Sequence, residues 1–153
     1  RLITSLEGHR DDLVWFDAEG NVVRVLESFI SGQTDDAALD TKVAVDGLGT
    51  IYALSRFDST VFKFTSQGKY VDRFGEKGSD PGQLSGADCI AVDGQGRVFI
   101  GGGRKVSIFS PEGRFLALFE AENRVVSMAF NMQGDLYLLS WDSVARYTMS
   151  AIP

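Results

Sequence analysis

The sequence predicts an all-β fold, on two observations. Apolar residues come in short runs, and each run is bounded by Gly, Asp, Asn, Pro or Ser, which is a pattern of strands and turns rather than of helices. The run-and-turn pattern also repeats. Its clearest copy lies between Cys89 and Phe119, where runs at Ile90–Val92, Val98–Ile100, Val106–Phe109 and Phe115–Phe119 are separated by Asp93-Gly-Gln-Gly96, Gly101-Gly-Gly103 and Ser110-Pro-Glu-Gly113.

Ala91-Val-Asp-Gly-Gln-Gly96 has a close copy in Ala44-Val-Asp-Gly-Leu-Gly49 and a weaker one in Ala129-Phe-Asn-Met-Gln-Gly134. Each copy precedes a strand that carries an aromatic (Tyr52, Phe99, Tyr137) and a third strand that ends in one (Phe64, Phe109, Tyr147). Leu13-Val-Trp-Phe16 fits the third-strand slot upstream. Gly-centred turns at Gly20, Gly68 and Gly113 then lead to fourth strands at Val22–Leu26, Tyr70–Phe74 and Phe115–Phe119. In each Asp/Asn-x-x-Gly turn the acid or amide oxygen can cap backbone N–H groups while Gly takes the positive φ a hairpin needs. Four-stranded antiparallel units repeating every ~40–50 residues are blades of a β-propeller.

The motif Ala-Val-Asp-Gly-x-Gly-x-(Val/Ile)-(Phe/Tyr), followed by a Val-x-(Phe/Ile)-Phe strand and x-x-Gly-(Lys/Arg)-(Tyr/Phe), resembles the NHL-repeat propellers. So does the join Arg73-Phe-Gly-Glu-Lys-Gly-Ser-Asp-Pro-Gly-Gln-Leu84. The resemblance covers residues 42–119 most fully, 126–148 less so and 12–26 in part. It departs after the second strands, where the family usually has an Asp and an Asn-Arg pair. This chain has Ser55-Arg-Phe-Asp58, Gly102-Gly-Arg104 and Ser140-Trp-Asp142 there.

In chain order, residues 1–11 read as a strand and turn leading into a hairpin over Asp12–Leu26, with Asp17-Ala-Glu-Gly20 at its tip. Glu27–Asp40 reads as a polar link, with a short helical turn over Asp35–Asp40. Thr41–Phe74 is a full blade, Gly75–Asp88 its exit loop and Ala87–Phe119 a second full blade. Glu120–Arg124 is a short link, and Val125–Met149 holds three strands of a further blade. The expected organisation is therefore one partial propeller domain over 1–153, with blade pieces at 1–26, 42–74, 87–119 and 125–149. The 153 residues supply roughly three and a half blades, whereas closed rings have about four to eight. The ring is accordingly expected to be completed by further residues of a longer chain or by another chain.

Composition narrows the function. The one histidine, His9, stands in a polar stretch and reads as a solvated turn residue; the one cysteine, Cys89, opens a strand and reads as a small buried side chain. A nucleophile–histidine pair and a multi-histidine metal site are thus not expected. Resemblance to metal-dependent NHL-like lyases is disfavoured on the same ground. Asp35, Asp36 and Asp40 are the best acidic cluster but lack a calcium-loop pattern. No catalytic residue, cofactor or metal is predicted. No apolar run reaches the ~18–20 residues of a spanning helix.

In this topology the inter-blade links and the loops after the second strands share one face. The links carry Glu27, Asp35, Asp36, Asp40, Glu76, Asp80, Asp88, Glu120 and Glu122 against Lys77 and Arg124, while Arg56, Asp58, Arg104 and Asp142 on the loops cancel. The whole chain carries a net charge of -6. Such a face repels a nucleic-acid backbone and suits a basic protein. Arg56, Phe57, Arg104, Trp141 and Asp142, on equivalent loops, are the candidate protein interface, since Trp and Arg are enriched in interface hot spots. The alternative for Phe57 and Trp141 is that they pack between blades. The expected function is a non-enzymatic interaction scaffold; the alternative is a ligand-binding or lyase/hydrolase-type propeller whose active site lies in blades outside this chain.

Overall fold

The computed structural model describes residues 2–5, 11–33 and 40–149. His9, Asp35, Asp36 and the helical turn expected over 35–40 lie outside the described residues, apart from Asp40. Within them the strands are β1 (Leu2–Ser5), β2 (Leu13–Phe16), β3 (Val22–Leu26), β4 (Thr41–Val45), β5 (Ile51–Ser55), β6 (Thr60–Phe64) and β7 (Tyr70–Phe74). They continue as β8 (Ala87–Val92), β9 (Val98–Gly102), β10 (Lys105–Phe109), β11 (Phe115–Glu120), β12 (Ser127–Phe130), β13 (Leu136–Leu139) and β14 (Val144–Tyr147). Every sheet is antiparallel and runs in chain order: β1-β2-β3, β4-β5-β6-β7, β8-β9-β10-β11 and β12-β13-β14. We call them blades 1 to 4.

The turns explain why hairpin follows hairpin. After each first strand one side-chain oxygen receives two backbone N–H groups. Asp46 takes those of Leu48 (2.9 Å) and Thr50 (2.8 Å), Asp93 those of Gln95 and Arg97 (both 2.9 Å), and Asn131 those of Gln133 (3.0 Å) and Asp135 (2.8 Å). Asp17, Thr65 and Ser110 do the same after the third strands. These side chains imitate a backbone turn, which fixes hairpin geometry locally.

A register shift one residue before the turn marks the third–fourth hairpins, at Lys63/Phe64 and Ile108/Phe109; the same shift occurs at Trp15/Phe16. Blade 1 therefore consists of second, third and fourth strands. Blade 4 has the first three, since Asn131–Gly134 repeats the turn at Asp46–Gly49. First strands β4, β8 and β12 lie side by side, with β1 next to β4.

The blades pack face to face. On β5, Ile51 and Ala53 meet Leu13, Trp15 and Phe62 on the blade 1 side, while Tyr52 and Leu54 meet Ile90, Val98, Ile100 and Phe109 on the blade 3 side. On β9, Val98 and Ile100 face blade 2, and Phe99 joins Met128, Leu136 and Leu138 of blade 4. All of β5 is buried for this reason. The link over 27–33 is not merely polar. Phe29 and Ile30 are buried in the blade 1–blade 2 core, held there because the Asp11 carboxylate accepts the N–H groups of Ile30 and Ser31, each at 2.6 Å.

Blade spacing is tight at one turn. Gly113 has φ +83°, and a Cβ there would lie 2.6 Å from Phe74, whereas Gly20, at φ +87°, has open space around it. Gly20→Ala is expected to cost about 1–2 kcal/mol from backbone strain alone, and Gly113→Ala about 1–3 kcal/mol more from the inter-blade overlap. Urea denaturation of the two variants checks this; equal losses would contradict it.

Candidate functional site

Strand direction sends first–second and third–fourth turns to one face, and second–third loops and inter-blade links to the other. On the second face, loops and links bond to each other. Ala121 N donates to Arg104 O (2.7 Å), Val125 N to Gly103 O (2.8 Å), Phe29 N to Asp11 O (3.0 Å) and Ser28 N to the Asp12 carboxylate (3.1 Å). A loop on this face is thus braced by the neighbouring link.

An ionic chain crosses the face. Arg56 donates through Nη1 to Asp40 and through Nη2 to Asp88 Oδ1 (2.5 Å). Arg124 Nη2 reaches Asp88 Oδ2 (2.6 Å), and Lys42 Nζ lies 3.4 Å from Asp40 Oδ1. Asp88 sits on β8, Arg56 follows β5 and Arg124 precedes β12, so the chain ties three blades. The hydrogen bond it donates to Asp88 is the largest influence on Arg56 and, with the charge of Asp40, raises its pKa against the opposing desolvation. Partly exposed pairs are worth about 0–1 kcal/mol each; the value here is in orientation. Arg56 is thereby a tie between blades rather than a loose cation.

The other predicted interface residues divide. Arg104 is exposed and its Nε donates to Ala121 O (3.1 Å); Asp142 is exposed and accepts from Ser143 Oγ (3.2 Å). Phe57 is 75% and Trp141 81% exposed, so neither packs between blades. Each stands on the short connection between a second and a third strand, outside the alternation that sends strand residues inward. Trp15, within β2, is 2% exposed.

The first strands and β1 enclose a central cleft of about 600 Å³, with Thr4, Thr41, Lys42, Asp88, Cys89 and Ser127 in its wall. Cys89 is buried, its Sγ 3.9 Å from Gly101 O. Burial pushes its thiol up to about 11, and burial likewise pushes the Tyr52 hydroxyl up to about 12 with help from the Asp46 and Glu112 charges. At neutral pH the thiol is protonated and a poor nucleophile. Among the described residues no three His, Cys, Asp or Glu side chains are grouped to hold a metal ion, and no helix is long and apolar enough to cross a membrane.

The raised thiol and hydroxyl favour the folded state in full below their ordinary pKa values. That contribution is lost as pH rises toward 11–12, where the unfolded chain ionises first. At pH 8 the native Cys89 is expected to react with a disulfide reagent about 100-fold more slowly than in the urea-unfolded chain. Equal rates would show that the thiol is not buried.

No protein-family model matches the sequence, and no curated protein matches it. Solved structures do. The WD40 β-propeller domain of Doa1 is 20% identical, with a TM-score of 0.63 over 94% of this chain and 45% of that one. A catalytically inactive virginiamycin B lyase from Staphylococcus aureus with quinupristin is 14% identical, with a TM-score of 0.65 over 92% and 46%. A protein of unknown function from Bacteroides caccae is 12% identical, with a TM-score of 0.61 over 99% and 57%. The chain spans about half the length of these structures. Four consecutive antiparallel sheets packed face to face, and the likeness to propellers across nearly the whole chain, identify the fold as a partial β-propeller.

Proposed function

We propose that the chain is part of an NHL-type propeller that serves as a protein-interaction scaffold and binds its partner on the face of loops and links. Sequence motifs support the NHL assignment: the Ala-Val-Asp-Gly-x-Gly copies and the Arg73–Leu84 join. The exposure of Phe57 and Trp141 carries the functional reading. Each is a large, mostly exposed aromatic ring on a short connection between strands, and aromatic anchors of this kind supply much of the energy of protein interfaces. Arg104 and Asp142 flank them as polar contacts, and Arg56 positions the loop that carries Phe57.

The same face disfavours nucleic acid. Arg56 and Arg124 are engaged by Asp40 and Asp88, whereas Glu27, Asp58, Glu76, Glu120, Glu122 and Asp142 form no ion pair among the described residues. On the described links and loops only Lys77 and Arg104 stand against them as cations without an ion pair, so a phosphate backbone would meet net negative charge.

The test is quantitative co-purification of native partners with the parent protein, with F57A/W141A, and with L48A/M132A, which truncates two still more exposed side chains on the opposite face. We expect F57A/W141A to lose partner by at least about tenfold with unchanged thermal unfolding, and L48A/M132A to retain it. Retention by F57A/W141A would refute the assignment of this face.

A further inference from the structure

Strand register sets blade 3 beside blade 2 residue for residue. Ser107 pairs with Ile100 as Phe62 pairs with Ala53, and Lys105 pairs with Gly102 as Thr60 pairs with Ser55. Phe62 is buried in the core between blades 1 and 2, together with Phe29 and Ile30 from the link. At the next interface the small Ser107 stands in place of that ring, and the link contributes one buried aliphatic side chain, Leu84.

A cavity of about 100 Å³ lies beside Ser107, between blade 3 and the link over 75–86. Its apolar wall is Leu84, Ile100, Phe115 and Leu118. The link side is held in shape by its own bonds. Leu84 N donates to Glu76 O (2.7 Å), Gly78 N to Leu84 O (3.0 Å) and Gln83 N to Asp80 O (2.9 Å). A Cβ on Gly102 would lie 2.6 Å from Gly86 O, so link and sheet touch beside the cavity.

Two side chains of the lining are donors. Lys105 and Ser107 stand on one face of β10, about 6–7 Å apart along the strand. Ser107 is 6% exposed, and its hydroxyl has no hydrogen-bond partner among the described residues. Burying a hydroxyl in that state is costly, and a ligand oxygen would relieve it. Lys105 is exposed and forms no ion pair among the described residues, although Glu120 stands opposite it in the strand pair. The one acid of the lining, Asp80, is exposed, where water and salt screen it.

We infer that this cavity binds a small monocarboxylate with an apolar body. Lys105 and Ser107 bracket the carboxylate, and the carbon body lies against Leu84, Ile100 and Phe115. An apolar cavity of about 150 Å³ holds benzene, so about 100 Å³ takes a branched chain of about four carbons. A dicarboxylate or a sugar would set polar groups against the aliphatic wall without partners. Every wall belongs to blade 3 and the link before it, and none of the five residues proposed for the protein interface lines the cavity.

The test is saturation-transfer NMR on the full native polypeptide, titrated with sodium 3-methylbutanoate, with 3-methylbutanamide and with sodium acetate. Saturable binding of 3-methylbutanoate is expected in the millimolar range, as for a ligand of so few atoms. The amide, which lacks the charge, and acetate, which lacks the apolar body, are expected to bind at least about tenfold more weakly. K105Q, at an exposed position, should weaken 3-methylbutanoate about tenfold with unchanged thermal unfolding. S107F, which puts the blade 2 residue into the cavity, should abolish binding. No saturable binding, equal binding of the amide or of acetate, or undiminished binding by K105Q or by folded S107F would each overturn the inference.

Discussion

Face-to-face packing of successive sheets is the constraint on which the rest depends. A sheet with a neighbour on each side has no solvent face, so odd and even residues of one strand enter different cores. On β5 this sends Ile51 and Ala53 toward blade 1, and Tyr52 and Leu54 toward blade 3. Burying a large apolar side chain contributes about 1.5–3 kcal/mol, and strands such as β5 and β9 collect that gain on both faces. Outer strands do not: β3 exposes Val22, Val23 and Val25. Stability is accordingly concentrated between blades, with each blade depending on its neighbours.

Polar groups work within that frame. Side-chain oxygens of Asp17, Asp46, Asp93 and Asn131 occupy the turns, where they hold backbone donors that strand pairing leaves over. At Asp135 side-chain donors also lower the carboxylate's pKa. For Asp135 the main cause is the Asn131 amide, followed by Arg146. Its stabilising effect is present above the ordinary carboxylate range and fades as pH falls through the lowered value. On the opposite face the Arg56–Asp88–Arg124 chain aligns three blades and fixes the loop that displays Phe57. One face thus presents exposed aromatic rings on short loops between second and third strands, while the other is made of self-satisfied turns.

Much of the fold was legible in the sequence because its punctuation is chemical. The Asp-Gly-x-Gly copies and the Gly at 20, 68 and 113 mark turns wherever they fall, and the aromatic closing each third strand, as at Phe64 and Phe109, sets the register. β1 was faint, since Leu2-Ile-Thr-Ser5 has no turn glycine beside it. Phe29 and Ile30 were hidden in a polar stretch, because what buries them is a carboxylate at Asp11, far away in sequence. Arg56 reads as an interface candidate and Asp88 as a link acid, but their bond joins residues 32 apart and no local pattern announces it. Composition alone could not decide whether Phe57 and Trp141 turn inward. Their place on short connections, off the strand alternation, decides it.

Backbone amide hydrogen exchange, resolved peptide by peptide, tests the radial packing of blades most directly. β5 and β9, covered on both faces, should be the most protected strands, while β3 and β14 should exchange faster by orders of magnitude. Uniform protection across all four sheets, or β14 protected as strongly as β5 in the isolated chain, would contradict the account.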